Sequence, residues 1–264
     1  MTLEDISGPS NRSLLLVHGR GFKPGPEAYM DLSVSALRAG IARDYPDHVD
    51  SFDAVNKRLA YYGDLNAEVL AARGKRYDLE LDIGDRRNAL TVLRRIEARK
   101  RFGMSQYDRL PGKSALPEFV ADLMAPLLGS VGLSMALFGR VAPDFAAYFD
   151  GNSDFGARLR ERVCAALCDL LDRGDRILLI AHGTGSVIVY DVLWELSHDP
   201  DLKRRYGANK VEVWATLGSP LGDRSVQRKL RGAKEKSTSK FPANVIAWHN
   251  VSAEDDYICH DNTL

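Results

Sequence analysis

The sequence predicts an α/β fold built on a mostly parallel sheet, and three observations carry that expectation. Short continuous apolar runs recur along the chain and close on glycine, as strands buried on both faces of a parallel sheet do. Stretches with helical apolar spacing stand between these runs. One run passes straight into a helical pattern through the tight sequence Ala181-His182-Gly183-Thr184-Gly185-Ser186. Strands alternating with helices imply βαβ units, with helices on both faces of the sheet.

The elements follow in order. Leu14, Leu15, Leu16 and Val17 form the first strand, which ends in His18-Gly19-Arg20-Gly21. Pro24 and Pro26 mark a loop, and residues 31–43 place Leu32, Val34, Leu37 and Ile41 at helical spacing. Residues 55–62 read as a strand closing on the turn pair Gly63-Asp64. Residues 86–101 read as a charged amphipathic helix with Leu90, Leu93 and Ile96 on one face. Residues 102–150 break the alternation: Pro111, Pro117, Pro126 and Pro143 cut them into short pieces, and residues 119–138 are strongly apolar. A helical cap or lid inserted into one domain spanning residues 1–264 explains both features. A membrane-spanning helix needs about 20 predominantly apolar residues. Asp122, Pro126 and two glycines interrupt this stretch, so peripheral lipid contact is the most that it suggests.

Residues 154–172 carry a helical stripe of Leu159, Val163, Ala166, Leu167 and Leu170. Residues 176–181 form a buried strand and 186–196 the helix after it. Residues 211–217, closed by Gly218-Ser219-Pro220, and 245–251 are the last two strands.

Composition narrows the function classes. Lys+Arg and Asp+Glu both number 36, so no net charge draws the chain to nucleic acid. The basic stretch 224–240 reads as a solvated loop. The three cysteines, Cys164, Cys168 and Cys259, make neither a disulfide framework nor a zinc motif, and read as reduced residues of a cytoplasmic protein. The acidic start, Met1-Thr2-Leu3-Glu4-Asp5, lacks the apolar run of a signal peptide. No cofactor or metal is expected.

The turn at 181–186 carries the chemistry. A strand turning sharply into a helix lifts its central residue clear of the sheet and needs small residues two positions to either side. Ala181 and Gly185 meet that need. The helix N-terminus then faces whatever stands at the turn. The same sequence also reads as an anion nest, but it lacks the P-loop lysine and the dinucleotide fingerprint.

The run from Leu178 to Asp191 resembles the nucleophile elbow of the α/β-hydrolase superfamily, and of its bacterial lipase- and esterase-like members in particular. His18-Gly19-Arg20-Gly21 is similar to their HG-type oxyanion loop, and the resemblance runs over about residues 13–260. It implies a serine at the turn. Here that position is Gly183, so the expected nucleophile is absent. It implies oxyanion donors from the backbone N–H of Thr184 and of Arg20 or Gly21, with His18, Gly19 and His182 beside them. It implies an acid after the last strand, where Asp256 and then Asp255 stand, although both also read as strand-end solvation. The base would follow the acid. His260 is the one histidine there, nearer to the acid than the family pattern has it. A missing strand–helix unit beyond residue 264 would leave a sheet edge open to a second copy.

Two expectations follow. The first is a carboxylic ester hydrolase scaffold, inactive in this form, for a small acyl or ester ligand. The second is a non-catalytic binding or regulatory protein on the same fold.

Overall fold

The computed structural model describes residues 11–96 and 142–252. Most of the expected 102–150 insertion, with its apolar stretch 119–138, lies outside these residues, as do Asp255, Asp256, Cys259 and His260.

Five strands form one sheet: β1 (Arg12–Val17), β2 (Asn56–Ala60), β3 (Arg176–His182), β4 (Val211–Leu217) and β5 (Val245–Val251). Every pairing is parallel and the order is β2-β1-β3-β4-β5. This is a doubly wound order with its topological switch between β1 and β3, where open α/β sheets form their crevice. The register sets Val17 beside Ala60 on one side and Ala181 on the other, so the chain leaves β1 and β3 at the same level.

The helices are α1 (Pro26–Asp44), α2 (Val49–Ala54), α3 (Gly63–Ala72), α4 (Leu79–Arg95), α5 (Pro143–Tyr148), α6 (Phe155–Asp172), α7 (Thr184–His198), α8 (Pro200–Tyr206) and α9 (Arg224–Gln227). Helix α6 packs on β1 and β2, and α7 packs on β1, β3 and α6. Leu159, Val163, Leu167 and Leu170 of α6 meet Val187, Val189, Val192, Leu193 and Leu196 of α7 in a core that includes Leu15, Ile177, Leu179 and Trp214. Cys164 and Cys168 share a face of α6 with their sulfurs 3.6 Å apart. No helix among the described residues is long and apolar enough to cross a membrane.

Several elements differ from the sequence-based expectation. Helix α3 replaces the expected turn at Gly63-Asp64. A Cβ on Gly63 would lie 2.6 Å from the Tyr61 hydroxyl, so that ring would have to shift. Helices α1 and α5 begin at Pro26 and Pro143, which read as breakers. At the first helical position proline costs no hydrogen bond, since that N–H has no intrahelical partner. Helix α4 starts at Leu79, earlier than the apolar stripe suggests, because the Asp78 carboxylate caps it by accepting from the Leu81 N–H at 3.0 Å. Strand β1 is buried from Leu14 to Val17, as expected. Strand β3 instead alternates: Ile177, Leu179 and Ala181 are buried and Leu178 is 39% exposed.

A buried polar knot fixes α5 against α7. The Tyr148 hydroxyl donates to Asp191 Oδ2 at 2.6 Å, and the Arg231 backbone N–H donates to Asp191 Oδ1 at 2.7 Å. Burial outweighs these hydrogen bonds and pushes the Asp191 carboxyl up from 3.8 to about 6. A raised carboxyl favours the protonated fold, so its contribution is full below about pH 3.8 and is lost as pH rises through about 6. Denaturant unfolding near pH 4.5 and near pH 7.5 checks this: between the two, the wild type should lose about 2 kcal/mol more than Asp191→Asn. Equal pH slopes would contradict the assignment.

Candidate functional site

Two loops meet at the switch point. The loop after β1 supplies His18 to Gly21, and the turn after β3 supplies His182, Gly183 and Thr184. Gly183 sits at φ +54°, ψ −126°, in a region that side chains rarely adopt. Its N–H donates to the Leu217 carbonyl at 2.8 Å, and its own carbonyl accepts from the Ser186 N–H at 3.1 Å and the Ser186 hydroxyl at 2.6 Å. The turn is therefore tied to β4 on one side and to the first turn of α7 on the other.

The two glycines of this turn do different work. A Cβ on Gly185 would stand 2.3 Å from the His18 carbonyl oxygen, so the residue must be glycine for the β1 loop to cross α7. A Cβ on Gly183 would meet nothing nearer than Gly19 Cα and the Gly218 carbonyl oxygen, both at 3.9 Å. Position 183 thus has room for a Cβ between the loops after β1 and β4, and backbone strain is what opposes it.

The Ser186 hydroxyl does not take its place. Ser186 is fully buried, and its Oγ lies 2.6 Å from Ser219 Oγ as well as bonding the Gly183 carbonyl. Thr184 opens α7, whose N-terminus carries the positive end of the helix dipole.

His18 is a structural residue. It is 1% exposed. Its Nε2 accepts from the Tyr62 N–H at 3.0 Å, and its Nδ1 donates to the Gly19 carbonyl at 2.8 Å. The Tyr62 hydroxyl donates to the His18 carbonyl. Burial drives the imidazole down to about 3, so it stays neutral with both nitrogens committed. His182 and Arg20 are exposed at the rim, and Gly19 is buried against His182.

Gly21 lies at φ +85° and donates its N–H to Asp144 Oδ2 at 2.6 Å. Lys23 holds the same loop by donating to the Arg20 and Phe22 carbonyls, and burial lowers its ammonium to about 8. Asp144 was not foreseen, since nothing in residues 102–150 distinguishes it by pattern. Neither was Asn66 of the unexpected helix α3. Both line a small pocket beneath the turn, with Arg20, Tyr62, Tyr148 and Thr184.

No protein-family model, no curated protein and no solved structure matches this chain.

Alanine at the two glycines separates strain from collision. Gly183→Ala should lower stability by about 1–3 kcal/mol, the usual cost of a side chain at such a φ. Gly185→Ala should cost more, because the His18 carbonyl must move. Chemical denaturation checks the order, and a Gly183→Ala variant less stable than Gly185→Ala would contradict it.

Proposed function

We propose that the chain is a carboxylic ester hydrolase scaffold of the α/β-hydrolase type, lipase- or esterase-like, that has kept the nucleophile turn and lost the nucleophile. The backbone of Gly183 carries this reading. It holds a conformation costly for any other residue, at the C-terminal end of a central strand, where a Cβ would meet its neighbours only at van der Waals distance.

In an active counterpart a serine at this position attacks an acyl carbonyl, and the carbonyl oxygen becomes an oxyanion. The Thr184 N–H and the loop after β1 supply the fixed donors for that oxygen. These donors belong to the backbone and do not depend on residue 183. The chain as it stands therefore supports acyl-ligand binding and not acyl transfer. His18 does not serve as the base, given its burial and its two occupied nitrogens. His260 as base and Asp256 or Asp255 as acid complete the proposal.

Hydrolysis of short p-nitrophenyl esters tests it. The wild type should give no rate above the buffer blank, and folded Gly183→Ser should gain measurable hydrolysis that His260→Ala removes. A wild type that hydrolyses these esters, or a folded Gly183→Ser that does not, would sink the reading.

A further inference from the structure

Residues 224–240 hold seven cations and one carboxylate, Glu235, in a chain that is neutral overall. They lie between β4 and β5, and the loop they form is fixed to α7 at three points. The Arg231 N–H donates to Asp191 Oδ1 at 2.7 Å, the Trp194 indole N–H donates to the Ser239 carbonyl at 2.9 Å, and the Tyr190 hydroxyl donates to the Lys240 carbonyl at 2.8 Å. Val226 and Leu230 are buried, and all seven cations are exposed. The loop therefore keeps its apolar side inward and its charge outward without a partner to order it.

That charge is not balanced from within the fold. Elsewhere Arg58, Arg162, Arg173, Arg176 and Arg205 each reach a carboxylate. Of the seven loop cations, only Arg231 does so among the described residues, at 3.0 Å from Glu195. Apolar exposure gathers beside the same loop. Seven large apolar side chains are exposed among the described residues, and three of them, Phe241, Ile246 and Val251, stand at the loop's exit and on β5. Strand β5 is an edge of the sheet, where exposed apolar side chains invite a partner.

The two features together select that partner. Uncompensated cations on a fixed loop attract a dense negative surface. Exposed apolar side chains next to them gain nothing from a phosphate backbone, and they enter the headgroup layer of a bilayer favourably. A second copy bound isologously would bring this cationic surface against itself.

We propose that the loop at residues 224–240 and the adjoining β5 edge form a docking surface for an anionic lipid bilayer, with the cations among the headgroups and Phe241 and Ile246 reaching toward the acyl chains. The proposal stands independently of the ester reading.

Co-sedimentation of the full chain with large unilamellar vesicles tests it, using phosphatidylcholine alone and phosphatidylcholine with about 30% phosphatidylserine. The protein should bind the anionic vesicles at least about tenfold more tightly than the neutral ones, and about 0.5 M salt should remove most of that difference. Lys234→Glu/Lys236→Glu should weaken binding to anionic vesicles by about tenfold or more, since each cation near such a surface contributes about fivefold. Both side chains are exposed and make no ion pair among the described residues, so the melting temperature should hold. Arg73→Glu/Lys75→Glu, at the end of α3, makes the same change in net charge and should bind as the wild type does. Phe241→Ser should weaken binding by about threefold or more and leave the salt dependence unchanged.

Three results would overturn the proposal: no preference for anionic vesicles, unchanged binding by folded Lys234→Glu/Lys236→Glu, or an equal loss in Arg73→Glu/Lys75→Glu. Duplex DNA bound as tightly as the anionic vesicles, with Phe241→Ser without effect on either, would assign the loop to nucleic acid and overturn it as well.

Discussion

The close crossing of the loop after β1 over the first turn of α7 is the constraint on which the site depends. Gly185 leaves no side chain under the His18 carbonyl, and this lets the two segments approach within contact distance. From the other side Tyr62 closes the crossing, with its N–H on the His18 ring and its hydroxyl on the His18 carbonyl. The parallel register sends β1 and β3 out of the sheet at one level, so the loops meet there. Gly183 is then held between two anchors, the Leu217 carbonyl and the Ser186 side chain. The turn's geometry is thus over-determined by its surroundings and does not rely on residue 183 itself. Strained backbone persists under that condition.

The same crossing explains why the cleft forms without a side chain at 183. The groups that shape it are backbone atoms and buried polar side chains: His18, Tyr62, Asp144 and the knot at Asp191. Burial keeps His18 neutral, so it serves packing and orientation and not proton transfer near neutrality. Glycine at 183 relieves strain at the one position where a reactive side chain would have required it. Glycine at this position and retention of the turn are therefore compatible in energy.

Much of this was legible in the sequence, and the rest was hidden for identifiable reasons. Strands β1 and β3 are readable because continuous apolar runs closed by a glycine turn leave little choice of structure, whereas β2, β4 and β5 carry polar residues such as Lys57, Glu212 and His249 within them. The turn at 181–186 was readable because tight strand–helix junctions constrain residue size at fixed spacing. Helix α3 was not, because Gly63 looks like a chain-reversing residue and stands in the structure as a first helical residue. The starts of α1 and α5 are hidden because Pro26 and Pro143 read as breakers in the sequence and stand in the structure as first helical residues. The Asp78 cap before α4 was a signal present in the sequence and overlooked. Asp144 and Asn66 had no local signature. Their juxtaposition comes from two helices far apart in sequence lining one pocket, and only tertiary structure supplies it.

The central claim is that position 183 is an intact nucleophile site without its nucleophile. Intact-mass spectrometry after fluorophosphonate treatment, with the adduct mapped by peptide, addresses it most directly. The wild type should remain unmodified, and Gly183→Ser should gain one adduct located at the substituted position. An adduct on wild-type Ser186 or Thr184, or none on a folded Gly183→Ser, would contradict the account.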